Sequence, residues 1–315
     1  MARRRAVAIT APSRFPTDFV FRLIRGVVIL AVVLFLVLGG AAGVLTYRVL
    51  TSHNDVETVT PSTYLLSSYV TLNFKDSAGG EHEGWLLLGL KGAPAIIMSH
   101  GYNSNRSDML SLGTILRENH FNVFIFNFFG PKTKLASSDL GVGQAKDLLA
   151  AIATVTHQPG INTHRVGLFG TNLGGYASLV AALQNPKVQA LAVDTIYETP
   201  DQMFNAQIDQ ILGGSSPLFR FFSKAEFHLL NITTKPYPVR ANLSKIEGVP
   251  KLFISGRDSP SLASITEGIY GLAPEPKRLL VLEHSQSGLA SSAEKKEYEN
   301  QVVNFFLQNL PLRAD

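Results

Sequence analysis

Asn172 stands at the apex of "GLFGTNLGGYASLVAA", the stretch from Gly167 to Ala182. The apolar run Val166 to Phe169 feeds a tight Gly-x-x-x-Gly-Gly turn, and a helix of small residues that can pack closely on a sheet follows. A strand, sharp turn and helix of this kind raises one side chain clear of the backbone, and a serine there attacks carbonyl carbon. An asparagine cannot act in that way, because its amide has no ionisable proton and makes no alkoxide-like nucleophile. Asn also accepts positive φ better than most residues, so a purely conformational role fits the position as well.

The remaining reactive groups narrow the chemistry. There is no cysteine, which removes disulfides, thiolate nucleophiles and thiolate metal sites together. No HExxH, paired-histidine or carboxylate spacing points to a metal, and no cofactor is expected. The glycines of the turn lack the lysine of a phosphate loop. Ser178 and Ser287 lie away from any strand-to-helix apex and make poor substitutes for the missing nucleophile. The sequons at Asn105, Asn231 and Asn242 are short patterns with little specificity.

Elements able to position Asn172 are legible on either side of it. "YVTLNF" from Tyr69 alternates and "EGWLLLGL" from Glu83 is apolar, which predicts an antiparallel pair around "DSAGGEH". Buried strands follow at "AIIMSHG", "NVFIFNF" from Asn122, "RVGLF", "ALAV" from Ala190, "KLFISG" from Lys251 and "RLLVLE" from Arg278. Helices are expected near Asp108 to Asn119, Val142 to Thr156 and Glu294 to Leu310. Apolar strands alternating with helices predict an α/β domain with a mostly parallel twisted sheet covered by helices on both faces. Residues 196–248 break the rhythm with "GGSSP", "TTKPYP" and "LFRFFSKAEF". They read as a cap-like helical insertion over the carboxyl edge of the sheet, where open α/β folds bind ligands.

In these landmarks, taken in order, residues 69 to 310 resemble the α/β-hydrolase fold, in its serine-peptidase and esterase branch related to prolyl oligopeptidases. The GxSxG elbow of that family falls on Gly170, Asn172 and Gly174. "MSHGYNSNR" resembles the family's His-Gly loop, which implies that Gly101 and Tyr102 shape an oxyanion hole whose two donors are the Tyr102 and Leu173 N–H groups. His100 would then be structural, since the loop's backbone does the work. "FNFFGPKTK" departs from the family's usual polar segment at nearly every polar position, while "LGVGQAKDLLAAI" matches the helix before the elbow strand, with Asp147 in its usual place. The resemblance puts the triad's acid at Asp258 of "FISGRDSP". It leaves two registers for the base in "LEHSQSGLA": His284, or Gln286, which has no basic nitrogen and would make a second inert triad position.

The chain's first 47 residues obey different rules. Residues 1–25 carry Arg3, Arg4, Arg5, Arg14, Arg22 and Arg25 against Asp18 alone, so the +4 net charge of the chain is confined to its start. The rest is nearly neutral, which argues against nucleic acid as a partner. Residues 26–47, "GVVILAVVLFLVLGGAAGVLTY", hold no charge; as a helix they would extend about 33 Å, enough for a hydrocarbon core of ~30 Å. The expected organisation is a basic tail at 1–25, a transmembrane helix at 26–47, a linker at 48–68 and the hydrolase-like domain at 69–315. Arginines on the N-terminal side predict a cytoplasmic N-terminus and an extracytoplasmic domain. A small-residue signal cleavage site within "GGAAG" is the competing reading.

The functional expectation is a membrane-anchored, non-catalytic relative of these hydrolases that keeps an oxyanion-hole-like pocket and holds a small-molecule or peptide ligand, with any protein partner unknown. Two alternatives are an active hydrolase and a scaffold with a collapsed pocket. Haloalkane dehalogenases and epoxide hydrolases use aspartate at the apex, and Asn172 deamidated to Asp would resemble them.

Overall fold

The computed structural model describes residues 17–51, 56–57, 59–64, 69–76, 79–128, 138–162, 164–213, 216–289 and 291–312. Arg3, Arg4, Arg5 and Arg14, and the "GPKTK" of the segment after the fourth strand, lie outside them.

The uncharged run forms the middle of one long helix, α1 (Thr17–Thr51). Among the described residues eight strands then follow: β1 (Tyr69–Lys75), β2 (Glu81–Leu87), β3 (Ala95–Ser99), β4 (Asn122–Phe126), β5 (Val166–Thr171), β6 (Val188–Asp194), β7 (Lys251–Gly256) and β8 (Lys277–Leu282). They make one sheet in the order β1-β2-β4-β3-β5-β6-β7-β8. Only β2 runs against its neighbours, pairing antiparallel with both β1 and β4; the pairs from β4 to β8 are parallel. Every residue of β3, β4, β5 and β7 is buried, as continuous apolar strands covered on both faces should be.

The crossovers are helical: α2 (Leu110–Glu118), α3 (Val142–Thr156), α4 (Asn172–Ala182), α5 (Pro200–Leu212), α6 (Pro217–Leu230), α7 (Val239–Asn242), α8 (Pro260–Leu272) and α9 (Ser292–Asn309). Leu148 of α3, Leu173 of α4, Met203 of α5, Phe227 of α6 and Leu262 of α8 share one core on one face of the sheet. Leu110 of α2 and Val302 and Phe306 of α9 belong to the core on the other. The rhythm break at 196–248 corresponds to α5, α6 and α7, placed between β6 and β7.

The described helix α1 runs beyond the expected span at both ends. Its last three turns are part of the domain: Ala42, Leu45, Val49 and Leu50 are buried, and Thr46 Oγ1 donates to Ser223 O at 3.3 Å. Residues 48–51 are therefore helical, because Val49 and Leu50 pack into the core. Six strands point their carboxyl ends, Ser99, Phe126, Thr171, Asp194, Gly256 and Leu282, to the same edge. The loops that leave them gather there.

Candidate active site

The elbow between β5 and α4 forces the backbone of Asn172 to φ 39°, a left-handed conformation that costs Asn less than most side chains. The glycines around it are steric requirements: a Cβ on Gly174 would overlap the Ser99 and His100 carbonyl oxygens. The apex thus sits close to the loop that follows β3. There a Cβ on Gly101 would come within 2.9 Å of Thr171 Oγ1. His100 is buried; its Nδ1 meets Gly101 O at 2.9 Å and its Nε2 accepts the Phe128 N–H at 3.2 Å. That pairing assigns the proton to Nδ1, and burial pushes the imidazole down to about 4, so His100 is a neutral brace for the loop. Farther along, the Asn105 side chain accepts the Ser107 N–H at 2.8 Å and donates to Val56 O at 2.9 Å. The sequon asparagine at 105 is thereby buried and fully engaged.

The expected oxyanion donors converge. Tyr102 N–H and Leu173 N–H both point at one oxygen, and that oxygen is Asn172 Oδ1, at 3.0 Å and 2.5 Å. The resemblance implies that these two N–H groups would face a substrate oxygen; in the structure the apex amide oxygen lies between them. It satisfies the Leu173 N–H at the first turn of α4, one of the groups a helix N-terminus leaves unpaired, and the Tyr102 N–H of the loop after β3.

The other expected site residues do not join this group. Asp258 follows β7 as expected, but its Oδ1 accepts the Ser285 N–H and its Oδ2 the Ser285 hydroxyl, both at 2.9 Å. His284 turns to α9, with Nδ1 3.2 Å from Glu294 Oε1. Gln286 lies on the Tyr102 side: both line a cavity of about 440 Å³ with Tyr64, Ser107, Asp108 and Tyr298, and Gln286 Nε2 donates to Asp108 O at 3.3 Å. Ser287 stays within its own loop, 3.1 Å from Ser285 Oγ. Ser178 is wholly buried in α4 behind the elbow.

A residue that sequence reasoning passed over organises this side. Asp194 ends β6 fully buried and accepts from Thr195 Oγ1 at 2.6 Å, Gln286 N at 2.7 Å and Tyr298 Oη at 2.8 Å. Burial outweighs those three donors and pushes its carboxyl up to about 6. Its signal in the sequence was position alone, a carboxylate at the carboxyl end of a buried strand. Among the described residues, the closest approach to a metal-ligand set is elsewhere, at Asp76, His82 and Asp147. His82 faces Asn127 O through Nδ1 at 3.2 Å, and through Nε2 it faces Asp76 Oδ2 at 3.1 Å and Asp147 Oδ1 at 3.8 Å. Burial raises the Asp147 carboxyl to about 7.

No family model matches the chain. An uncharacterized protein of Escherichia coli O157:H7, YfhR, is 28% identical over 251 residues, which cover 76% of this chain and 81% of that protein. Among solved structures, the Pyrococcus furiosus esterase Pf2001 superposes with a TM-score of 0.63 at 17% identity, over 84% of this chain and 99% of its own. The chain has the α/β-hydrolase fold. A membrane phospholipase A, a bacterial virulence factor, has the same fold at a TM-score of 0.53 and 17% identity, and the match covers 93% of this chain and all of its own.

Proposed function

We propose that the protein is a membrane-anchored α/β-hydrolase-fold protein without serine-hydrolase turnover, whose oxyanion-hole-like site is kept closed by its own apex side chain. The observation that carries this reading is the pair of N–H groups, Tyr102 and Leu173, donating to Asn172 Oδ1. Asn172 replaces the nucleophile and its amide oxygen takes the place of a substrate's carbonyl oxygen. A ligand carbonyl or carboxylate enters only when that amide swings out, and then meets the same two donors. Gln286, rather than His284, is assigned to the base position, since it shares a cavity with Tyr102 whereas His284 is engaged by Glu294. Asp258, at the acid position, then serves to hold the Ser285 loop. A restored nucleophile would find no group to take its proton.

α1 anchors the protein, with its arginine-rich end in the cytoplasm and the folded domain outside; the arginine cluster before the apolar run supports that orientation. Protease added to intact spheroplasts is expected to digest the domain and spare a tag at the N-terminus.

The second reading is an active hydrolase, and the hydrolase neighbours, an esterase and a membrane phospholipase A, favour it. In its deamidated form Asn172 would become an aspartate nucleophile. Deamidation needs the Leu173 nitrogen to attack Asn172 Cγ, but that N–H instead donates to Oδ1 from the first turn of a helix.

The test is fluorophosphonate labelling and p-nitrophenyl ester hydrolysis by the detergent-solubilised full chain. The wild type is expected to do neither. Asn172→Ser should give little turnover, and Asn172→Ser with Gln286→His should exceed either single change, because triad members act as a unit. If Asn172→Ser alone is strongly active and His284→Ala abolishes that activity, His284 is the base. Turnover by the wild type that is lost in Asn172→Ala would overturn the non-catalytic reading, and mass spectrometry would then seek the one-dalton gain of deamidation at residue 172.

A further inference from the structure

α6 is amphipathic in an unusual sense, with apolar residues on two opposite faces. Ser223 and Phe227 point into the domain, where Phe227 stacks on Phe204 at 4.6 Å between ring centroids. On the other side Leu218, Phe221, Phe222, Ala225 and Leu229 fall at i, i+3, i+4, i+7 and i+11, within an arc of about 100° at 100° per residue. None of these five is buried. Leu218 is 58% exposed, Phe221 67% and Leu229 69%, and at the end of the helix Leu230 and Ile232 add further exposed apolar surface, 63% and 77% exposed. Polar residues flank the stripe without interrupting it: His228, 3.0 Å from Asp201, on one side and Glu226, which accepts from Thr46 Oγ1 at 3.2 Å, on the other.

The position of the stripe relative to α1 says what covers it. Phe222 packs edge-on against Phe35, with ring centroids 5.1 Å apart. Phe35 lies nine residues after Gly26 and seven before Ala42, where α1 enters the domain, about 13 and 10 Å along the helix at 1.5 Å per residue. Both distances fall well inside a ~30 Å hydrocarbon slab. A bilayer that encloses the uncharged run of α1 up to Ala42 therefore also encloses Phe222 and the side chains beside it.

We infer that α6 is a second membrane element, lying in the interface of the leaflet next to the domain with Leu218, Phe221 and Leu229 among the acyl chains. This rests on the reading of α1 as a membrane span. Interfacial helices of this kind bury an apolar face roughly 5–10 Å below the headgroups and keep their charged flanks at the surface. The cap of the site is then held against the bilayer at two places, α1 and α6. Thr46 Oγ1, which bonds both Ser223 O at 3.3 Å and Glu226 Oε2 at 3.2 Å, fastens one to the other.

Because the chain has no cysteine, single-cysteine variants of the full chain can be labelled at one place with an environment-sensitive fluorophore. Phe221→Cys and Leu229→Cys report on the stripe, Leu30→Cys on α1, and Lys296→Cys on the exposed surface of α9 across the sheet. Each is reconstituted into phosphatidylcholine vesicles with and without dibrominated acyl chains. Quenching at 221 and 229 is expected within about two-fold of that at 30 and several-fold above that at 296. If 30 is quenched while 221 and 229 match 296, the inference about α6 fails and the span survives. If 30 also matches 296, the span reading fails and takes the inference with it. Oxidative cross-linking of the unlabelled Phe221→Cys variant into a dimer, persisting at high lipid-to-protein ratio, would show a second copy covering the stripe and would equally overturn the proposal.

Discussion

On the elbow side of the site, Tyr102, Asn172 and Leu173 are brought together by backbone: two N–H groups, a left-handed residue and glycines that admit no Cβ. On the side of β7 and β8, the groups that would have to meet are side chains, and they have found other partners. Asp258 holds Ser285, His284 holds Glu294, and Gln286 reaches Asp108. The contrast separates what the backbone of such a site supplies from what its side chains supply. Donors supplied by backbone need no particular side chain: the β5–α4 turn sets the Leu173 N–H and the loop after β3 sets the Tyr102 N–H. A triad of side chains exists only while each residue type is kept, and two of its positions here carry amides if Gln286 is at the base position.

The largest effect expected from attacking this comparison is at Gly174. Gly174→Val places atoms against the Ser99 and His100 carbonyls, and overpacking there should cost about 3 kcal/mol or more. Chemical denaturation or a loss of membrane-integrated protein would record it. A variant as stable as the wild type would mean that the elbow is looser than its geometry implies, and the contrast between the two sides would go.

The next test uses the opposite titrations of the two sides. Burial pushes His100, beside the elbow, from 6.5 down to about 4, and Asp194, under the Gln286 loop, from 3.8 up to about 6. The neutral His100 contributes stability above its unfolded value that is lost as pH falls through about 4. The protonated Asp194 contributes stability at low pH that is lost as pH rises through about 6. Between pH 4 and 6 the two slopes oppose. Asp194→Asn removes one, so the stability of the variant relative to wild type should rise by about 1.4 kcal/mol per pH unit across that window. Urea midpoints measured from pH 4 to 6 give the difference directly, and parallel profiles would mean that Asp194 titrates as an ordinary carboxyl.

The smallest effect sharpens the account of the closed hole. Asn172→Asp puts a carboxylate oxygen between the Tyr102 and Leu173 N–H groups at the N-terminus of α4, where an anion is favoured. The variant should be at least as stable as wild type above pH 5, by up to ~1 kcal/mol, and should remain inactive toward esters. Clear destabilisation would show that the donors do not form an anion-accepting pair.

Much of the fold was open to reading in the sequence because the signals are local. Apolar runs such as "NVFIF" and "KLFISG" need cover on both faces wherever they lie, and Gly170, Gly174 and Gly175 around a lone Asn172 declare a tight turn with no nucleophile. The order of the landmarks predicted strands ahead of Tyr102, Leu173 and Asp258, and those residues follow β3, β5 and β7. What tertiary structure decided is partnership. Nothing near Asn172 in the sequence shows that its amide turns inward, since one of the donors it meets is 70 residues away. The spacing in "LEHSQSGLA" left His284 and Gln286 equivalent, and they separate only because α9 brings Glu294 to one and the loop after β3 brings Asp108 to the other. Asp194 gave no motif, for its burial and its three donors come from β6, the Gln286 loop and α9. The last turns of α1 read as the end of an anchor and a linker, yet they are buried, because the chain returns more than 170 residues later to lay α6 against them.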